Sequence, residues 1–175
     1  SMGNLIDYWD LISAHDCLQG GYVWDWMDQG ILAQKDGESY WKYGGDFGPI
    51  DIPSDRNFCL NGVLFPDRTL HPMALEMQHV YQDYTISWVP EKHSVEIVSQ
   101  YLFINNTIHI TVRIWDRYKE FYKKESIVTV APGAECKVVL EEWDWASKES
   151  VFLDVVIVDT EKNHKAKGQF RLQDR

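Results

Sequence analysis

Residues 108–116 read Ile-His-Ile-Thr-Val-Arg-Ile-Trp-Asp, and this stretch decides how the second half of the chain folds. Its apolar side chains recur at every second position, namely Ile108, Ile110, Val112 and Ile114. Successive side chains of a β-strand point to opposite faces. The stretch therefore predicts a strand with one face in a core and the other face toward solvent.

The same period of two extends outward from this stretch over the region from about residue 84 to the end of the chain. Val151, Leu153, Val155 and Ile157 alternate in the same way, and turn residues separate the apolar runs. About seven short strands within roughly 90 residues are typical of an immunoglobulin-like β-sandwich. The predicted strands are residues 84–89, 93–104, 108–116, 120–131, 135–141, 151–158 and 168–173.

A helix is predicted near the start of the chain, over residues 4–14. Leu5, Trp9 and Ile12 recur on one face at helical spacing. Asn4 is a favourable N-cap residue, with an acidic residue three positions later as in a capping box.

The rest of residues 1–85 is rich in Gly, Asp and Trp and differs in composition from the strand region. Residues 18–26 predict a buried strand, and residues 30–68 predict a long loop. Pro72 is well placed to begin a second helix over about residues 72–82. Helix, strand, loop and helix in this order are expected at the end of a (β/α) barrel, where the loops after the strands carry function.

The composition excludes some classes of partner. The formal net charge is -10, which argues against nucleic acid because phosphate binding needs clustered Lys and Arg. No stretch approaches the roughly 18 consecutive apolar residues of a membrane span. Eight tryptophans indicate either large cores or flat surfaces on which a ligand such as a sugar ring can stack.

Four blocks of sequence, in this order and at this spacing, resemble the large family 2 β-galactosidases. The first block matches the eighth strand of the catalytic barrel in that family, and the strand region is similar, more loosely, to the β-sandwich that follows the barrel. The blocks are LQGGYVWDWMDQ (18–29), YGGDFG (43–48), DRNFCLNG (55–62) and FPDRTLHP (65–72).

The resemblance implies a fold class that is mainly β with some α. Residues 1–85 correspond to the C-terminal remnant of the catalytic (β/α)8 barrel, and residues 86–175 to the β-sandwich domain. In this family two glutamates cleave the glycosidic bond with retention. Both lie upstream of the residues present here, so we expect no catalytic residue in this chain and no activity from the chain alone.

The resemblance also implies site residues. Trp24 corresponds to the platform on which the galactosyl ring packs. The backbone carbonyl of Phe58 and the side chain of Asn61 correspond to part of a sodium site, and Asn61 also lies near the sugar. Ser54 stands at a position near a magnesium ion, where the best-known members carry Asn, which weakens that assignment. Sodium and magnesium are expected in the intact enzyme, and neither is expected to bind tightly to this chain.

Expected partners of the intact enzyme are a β-galactoside and the other domains of the same polypeptide, and assembly into a homo-oligomer is an open option. Such an enzyme is expected to be soluble, in a bacterial cytoplasm or periplasm. Two other interpretations remain open: a carbohydrate-binding module that grips sugar through tryptophans, and a purely structural sandwich. Asp25 and Asp28 could suggest a catalytic carboxylate pair. Residues three apart on a strand point to opposite faces, however, so structural hydrogen bonding is the favoured role of both side chains.

Overall fold

The computed structural model describes residues 2–141 and 150–172. The chain divides into two compact units, Ser1–Tyr81 and Gln82–Arg175. Strands predominate and helices are few, which confirms the predicted fold class, mainly β with some α. In the part of the chain described, no helix combines the length and the apolar character that crossing a bilayer requires.

The second unit is an antiparallel β-sandwich. One sheet contains β3 (Tyr84–Val89), β4 (Ser94–Ser99) and β7 (Glu135–Val139), in the order β3-β4-β7. The other contains β5 (Asn106–Trp115), β6 (Glu120–Val130), β8 (Phe152–Asp159) and β9 (His164–Arg171), in the order β6-β5-β8-β9. Neighbouring strands pair antiparallel throughout both sheets. The first unit contains two further strands, β1 (Ile31–Lys35) and β2 (Glu38–Lys42).

The core of the sandwich lies between the two sheets. The alternating apolar residues of β5 and β8 point inward and are buried, as their period predicted. Val95 and Ile97 of β4 meet them from the opposite sheet. Val156, on the other face of β8, is exposed. One face of each sheet is thus removed from water, and burial of this apolar surface is the main stabilising contribution to the unit.

Two predicted strands differ from the structure by more than two residues at one end. The strand predicted over residues 93–104 ends at Ser99, and the amide of Gln100 donates to the carbonyl of Asp83 at 2.9 Å, just beyond the last pair of β3 and β4. The strand predicted over residues 168–173 begins four residues earlier, at His164. Its first residues are polar because β9 lies at the edge of its sheet, where charged side chains are tolerated.

Two helices of the first unit follow their predicted positions closely. Helix α1 spans Leu5–Ala14, and the three residues of its predicted apolar face are the half-buried ones. Helix α2 spans Pro72–Val80, with Pro72 at its first turn. The predicted capping box of α1 does not form, because the Asn4 side chain bonds to the Asp7 carboxylate at 3.0 Å and caps no backbone amide.

The strand predicted over residues 18–26 was wrong. None of its residues belongs to a strand of the structure, and a parallel bridge joins Met27 to Leu64 just beyond it. Asp25 and Trp26, at the end of the segment, bond through their backbones to residues 61–64. A strand needs a neighbour to satisfy its backbone groups, and no sheet strand of the described residues in the first unit pairs with residues 18–24. The region predicted as a loop instead contains a hairpin of β1 (Ile31–Lys35) and β2 (Glu38–Lys42).

The first unit has a small core. Val63, Leu64 and Ala74 are buried together, with half-buried methionines packed around them. Many large apolar side chains of this unit are instead exposed, and Tyr22 and Ile50 are fully so. The unit therefore leaves much of its apolar surface in contact with water.

Candidate functional site

Two segments distant in sequence lie side by side and bring Trp24 close to Asn61. The amide of Asp25 donates to the carbonyl of Asn61 at 3.1 Å, and the carbonyl of Asp25 accepts from Val63 at 3.1 Å. Further along, the amide of Asp28 donates to the carbonyl of Leu64 at 2.9 Å. These bonds fix the backbone that follows Trp24 against the backbone that carries Asn61.

The close approach of the two segments depends on Gly62. A Cβ atom added at this position would lie 2.1 Å from the backbone nitrogen of Asp28 and 2.3 Å from the carbonyl carbon of Met27. Any side chain would therefore collide with the opposite backbone, and only glycine permits this spacing.

The two segments, together with the start of α2, enclose an open cavity of about 410 Å³. Its size falls within the usual range for small-molecule sites, and its wall presents polar and apolar surface in about equal parts. The lining residues are Met2, Val23, Trp24, Leu60, Asn61, Gly62, Val63, His71 and Met73.

Trp24 lines this cavity with 76% of its surface exposed. An indole so exposed contributes little to the core and offers a flat apolar face to a ligand. The resemblance implied that the sugar ring packs on Trp24 and that Asn61 lies near the sugar, and both residues line this cavity.

The two predicted sodium ligands also lie together. The side-chain amide of Asn61 is in direct hydrogen-bond contact with the carbonyl oxygen of Phe58, three residues earlier. In this contact the amide nitrogen donates, so the Asn61 side chain would have to turn to present its oxygen to a cation. Two oxygens suit a hard cation but are too few to hold it tightly.

Ser54 is placed differently. Its hydroxyl oxygen accepts a hydrogen bond from the backbone amide of Arg56 at 3.1 Å, which is a local turn contact. Ser54 is exposed and does not line the cavity. Among the described residues, no group of three or more His, Cys, Asp and Glu side chains could hold a metal ion.

A buried pair beside the cavity was not predicted as part of the site. Asp28 is 6% exposed, and its Oδ2 lies 2.8 Å from Nε2 of His71, which lines the cavity. The Asp28 Oδ1 atom accepts from the amide of Gly62 at 2.8 Å. The sequence did predict a structural hydrogen-bonding role for Asp28, but it carried no signal for a partner 43 residues away.

Comparison with known proteins bears on this arrangement. Residues 1–86 match the family described as glycosyl hydrolases family 2, TIM barrel domain. Residues 1–86 are thus similar to the barrel domain of glycosyl hydrolase family 2. The segments 24–28 and 58–64, with the cavity between them, lie within the matched residues, which confirms the resemblance seen in the sequence.

The curated relatives that the chain matches are named as β-galactosidases. "Beta-galactosidase 2" of Enterobacter cloacae is 49% identical over 106 residues, which is 59% of this chain and 10% of that protein. "Beta-galactosidase" of Klebsiella pneumoniae is 47% identical over 105 residues, again 59% of this chain and 10% of the relative. The chain thus aligns with about a tenth of the length of the curated relatives it matches.

Among solved structures, the chain is similar to the Amycolatopsis orientalis exo-chitosanase CsxA. The similarity has a TM-score of 0.46 at 11% sequence identity and covers 64% of this chain and 14% of that structure.

Proposed function

We propose that this chain is part of a β-galactosidase that hydrolyses terminal β-D-galactosides with retention, and that it supplies one wall of the sugar site. The exposed face of Trp24 beside Asn61, in a cavity of small-molecule size, is the observation that carries the proposal. The names of relatives at 47–49% identity give the sugar. In this arrangement the indole packs against the apolar face of the ring while Asn61 binds a hydroxyl group.

The chain alone is proposed to be inactive. Retaining hydrolysis needs two carboxyl groups about 5 Å apart, one as nucleophile and one as acid and base. None of the described residues that line the cavity is a carboxylate. Both oxygens of Asp28 are bound to Gly62 and His71, and Oδ2 of Asp25 accepts from the Gln29 side chain at 2.7 Å. The catalytic glutamates are therefore proposed to come from another part of a longer protein.

The other domains of that longer protein are the proposed partners of the first unit. Its exposed apolar side chains, among them Trp26, Ile31 and Leu32, stand outside the small core. Large exposed apolar areas mark interaction surfaces. Residues 1–85 are accordingly proposed to complete a barrel whose remaining strands cover these side chains, and residues 86–175 to follow it as a sandwich domain.

The activity is tested with a chromogenic β-galactoside. The purified 175-residue chain should give no turnover, and the full-length protein that contains it should give turnover. In the full-length protein, Trp24→Ala should raise KM by about tenfold, the equivalent of a lost aromatic contact. Tyr118→Ala, which removes an exposed aromatic residue of the sandwich, is the control. Turnover proportional to the amount of purified chain would refute the proposed inactivity.

A sodium ion is proposed to bind at Phe58 and Asn61 in the full-length protein, where further ligands complete the site. The contact between the Asn61 amide and the Phe58 carbonyl supports this assignment. The ion would supply a fixed positive charge beside the sugar. Activity should rise with sodium concentration, and Asn61→Ala should shift that dependence to higher concentration. An unchanged sodium dependence in Asn61→Ala would contradict the assignment.

A second candidate function is sugar binding without cleavage, which the exposed faces of Trp24 and Trp26 favour. Titration of the chain with galactose, monitored by tryptophan fluorescence, distinguishes a binding module from a part of a β-galactosidase. We expect little quenching, because one wall does not make a pocket. Strong quenching that Trp24→Ala abolishes would favour a binding module.

For the sandwich we propose a structural role. Its inward face is apolar, and several outward charges are paired with one another, as Lys137 is with Glu96 and Glu135, both at 2.9 Å. A ligand found on a sandwich face would overturn this proposal.

A further inference from the structure

Asp28 does not line the cavity, but it is hydrogen-bonded to two residues that line it, Gly62 and His71. Its Oδ1 accepts the Gly62 amide at 2.8 Å, and its Oδ2 lies 2.8 Å from His71 Nε2. Because Asn61 precedes Gly62, the first bond fixes the backbone next to the Asn61 side chain. The backbone amide of Asp28 adds a third bond, to the carbonyl of Leu64.

Because Asp28 is buried, loss of these hydrogen bonds would be costly. Its side chain has 8% of its surface exposed and that of His71 has 20%. A carboxylate removed from water needs hydrogen-bond partners, since a buried acceptor without one is strongly destabilising. Each oxygen of Asp28 has such a partner, so removing the carboxylate leaves Gly62 N–H and His71 Nε2 without theirs.

The imidazole of His71 is held on a second side as well. Its ring stacks on Phe65 with 3.6 Å between centroids, and its backbone amide donates to the carbonyl of Val63 at 3.1 Å. An acidic partner at one ring nitrogen favours the tautomer that carries its proton there. With the proton on Nε2, Nδ1 is the free acceptor of the ring.

We infer that Asp28 is a positioning residue of the sugar site, which fixes the spacing of Asn61 from Trp24 and the tautomer of His71 on the cavity wall. This inference rests on the proposed function, because the cavity is taken as the sugar site. Asp28 itself touches no substrate and acts through Gly62 and His71.

The first test is kinetic and uses the full-length protein. Asp28→Asn preserves the shape of the side chain and removes its charge. We expect it to raise KM for a β-galactoside by about tenfold, as for loss of a charge-assisted hydrogen bond. The kcat per active molecule should change by less than about threefold, because the catalytic carboxylates are not touched. A merely structural role would lower the amount of active enzyme and leave KM unchanged.

Asp67→Asn is the matched control. Asp67 lies in the turn between Phe65 and Thr69 and accepts hydrogen bonds from the amide and hydroxyl of Thr69, at 2.9 and 2.7 Å, but it is bonded to no residue of the cavity wall. Its KM should equal that of the wild type. Equal KM values for Asp28→Asn and Asp67→Asn would overturn the inference.

The second test is spectroscopic and uses the 175-residue chain, so it does not depend on activity. Nitrogen-15 spectra of labelled histidine should show His71 with its proton on Nε2. In Asp28→Asn this preference should be lost, and an unchanged tautomer would overturn the inference. If the wild-type full-length protein does not cleave β-galactosides, the proposed function fails, while this tautomer measurement still decides the role of Asp28 toward His71.

Discussion

Replacing Gly62 by alanine would separate the two segments that form the cavity wall. The new Cβ would lie 2.1 Å from the Asp28 nitrogen, 2.3 Å from the Met27 carbonyl carbon and 2.6 Å from the Met27 Cα. All three atoms belong to the backbone, which cannot move aside as a flexible side chain would. The segments must therefore part, and the bonds between them must lengthen or break.

The size of the effect follows from these contacts. Overpacking of a tight site typically costs about 1–3 kcal/mol. Loss of the bond from the Gly62 amide to the Asp28 carboxylate adds about 1.5–3 kcal/mol, because that acceptor is charged. We expect the first unit to lose at least about 2 kcal/mol of local stability, which is a factor of about 30 in the opening equilibrium.

Hydrogen exchange measures this directly, since amide protection reports the free energy of local opening. The amides of Asp25, Val63 and Leu64 should exchange about 30-fold faster in Gly62→Ala. Gly21→Ala is the control, because a Cβ at position 21 meets no atom within 4 Å. Equal protection of these amides in the two variants would refute the argument.

Three further outcomes concern the sandwich. Ile110→Ala should lower its free energy of unfolding by about 2–5 kcal/mol, whereas the exposed Ile127→Ala should have little effect; urea denaturation compares the two, and equal losses would contradict the assignment of the core. Burial raises the pKa of Tyr84 to about 12. The folded state therefore holds this proton more tightly, and stability should fall as pH rises from about 10 through 12, a loss absent in Tyr84→Phe. Hydrogen bonds from Lys137 and Lys92 lower the pKa of Glu96 in the folded state. The stabilisation from Glu96 is therefore present above the usual pKa of a glutamate and is lost as the pH falls through the lowered pKa. Glu96→Gln should reduce the loss of stability at acid pH, and an unchanged acid dependence would count against the pairing.

The sandwich could be predicted well because its signal is local. In β5 each inward position follows from the alternation of a few neighbouring residues, and Ile108 and Ile114 are as buried as the pattern requires. The start of the edge strand β9 was harder to predict, because residues at a sheet edge are not required to be apolar. Its polar first half therefore gave no period to detect.

The hairpin of β1 and β2 shows a signal that was present but incompletely used. Asp36-Gly37 lies within the region predicted as a loop, and these two residues have positive φ angles of 54° and 87° in the structure. Two such residues are typical of the tight turn that joins hairpin strands. The flanking strands escaped prediction because their apolar residues do not alternate clearly.

The candidate site could be predicted only in part. Trp24, Phe58 and Asn61 were identified by resemblance, and the structure brings Trp24 and Asn61 to one cavity. His71 was not identified as a site residue, because its place depends on Asp28, far away in the sequence.

Local sequence patterns were enough to predict the strands of the sandwich, the start of both helices and the similarity to family 2, because each of these is written in neighbouring residues or in ordered motifs. Contacts across the fold were needed to establish that residues 18–26 form no strand, that Gly62 packs against the backbone of Asp28, and that Asp28 bonds to His71. These features depend on which polar groups find partners across the fold, and hydrogen-bond partners distant in the chain leave no local pattern.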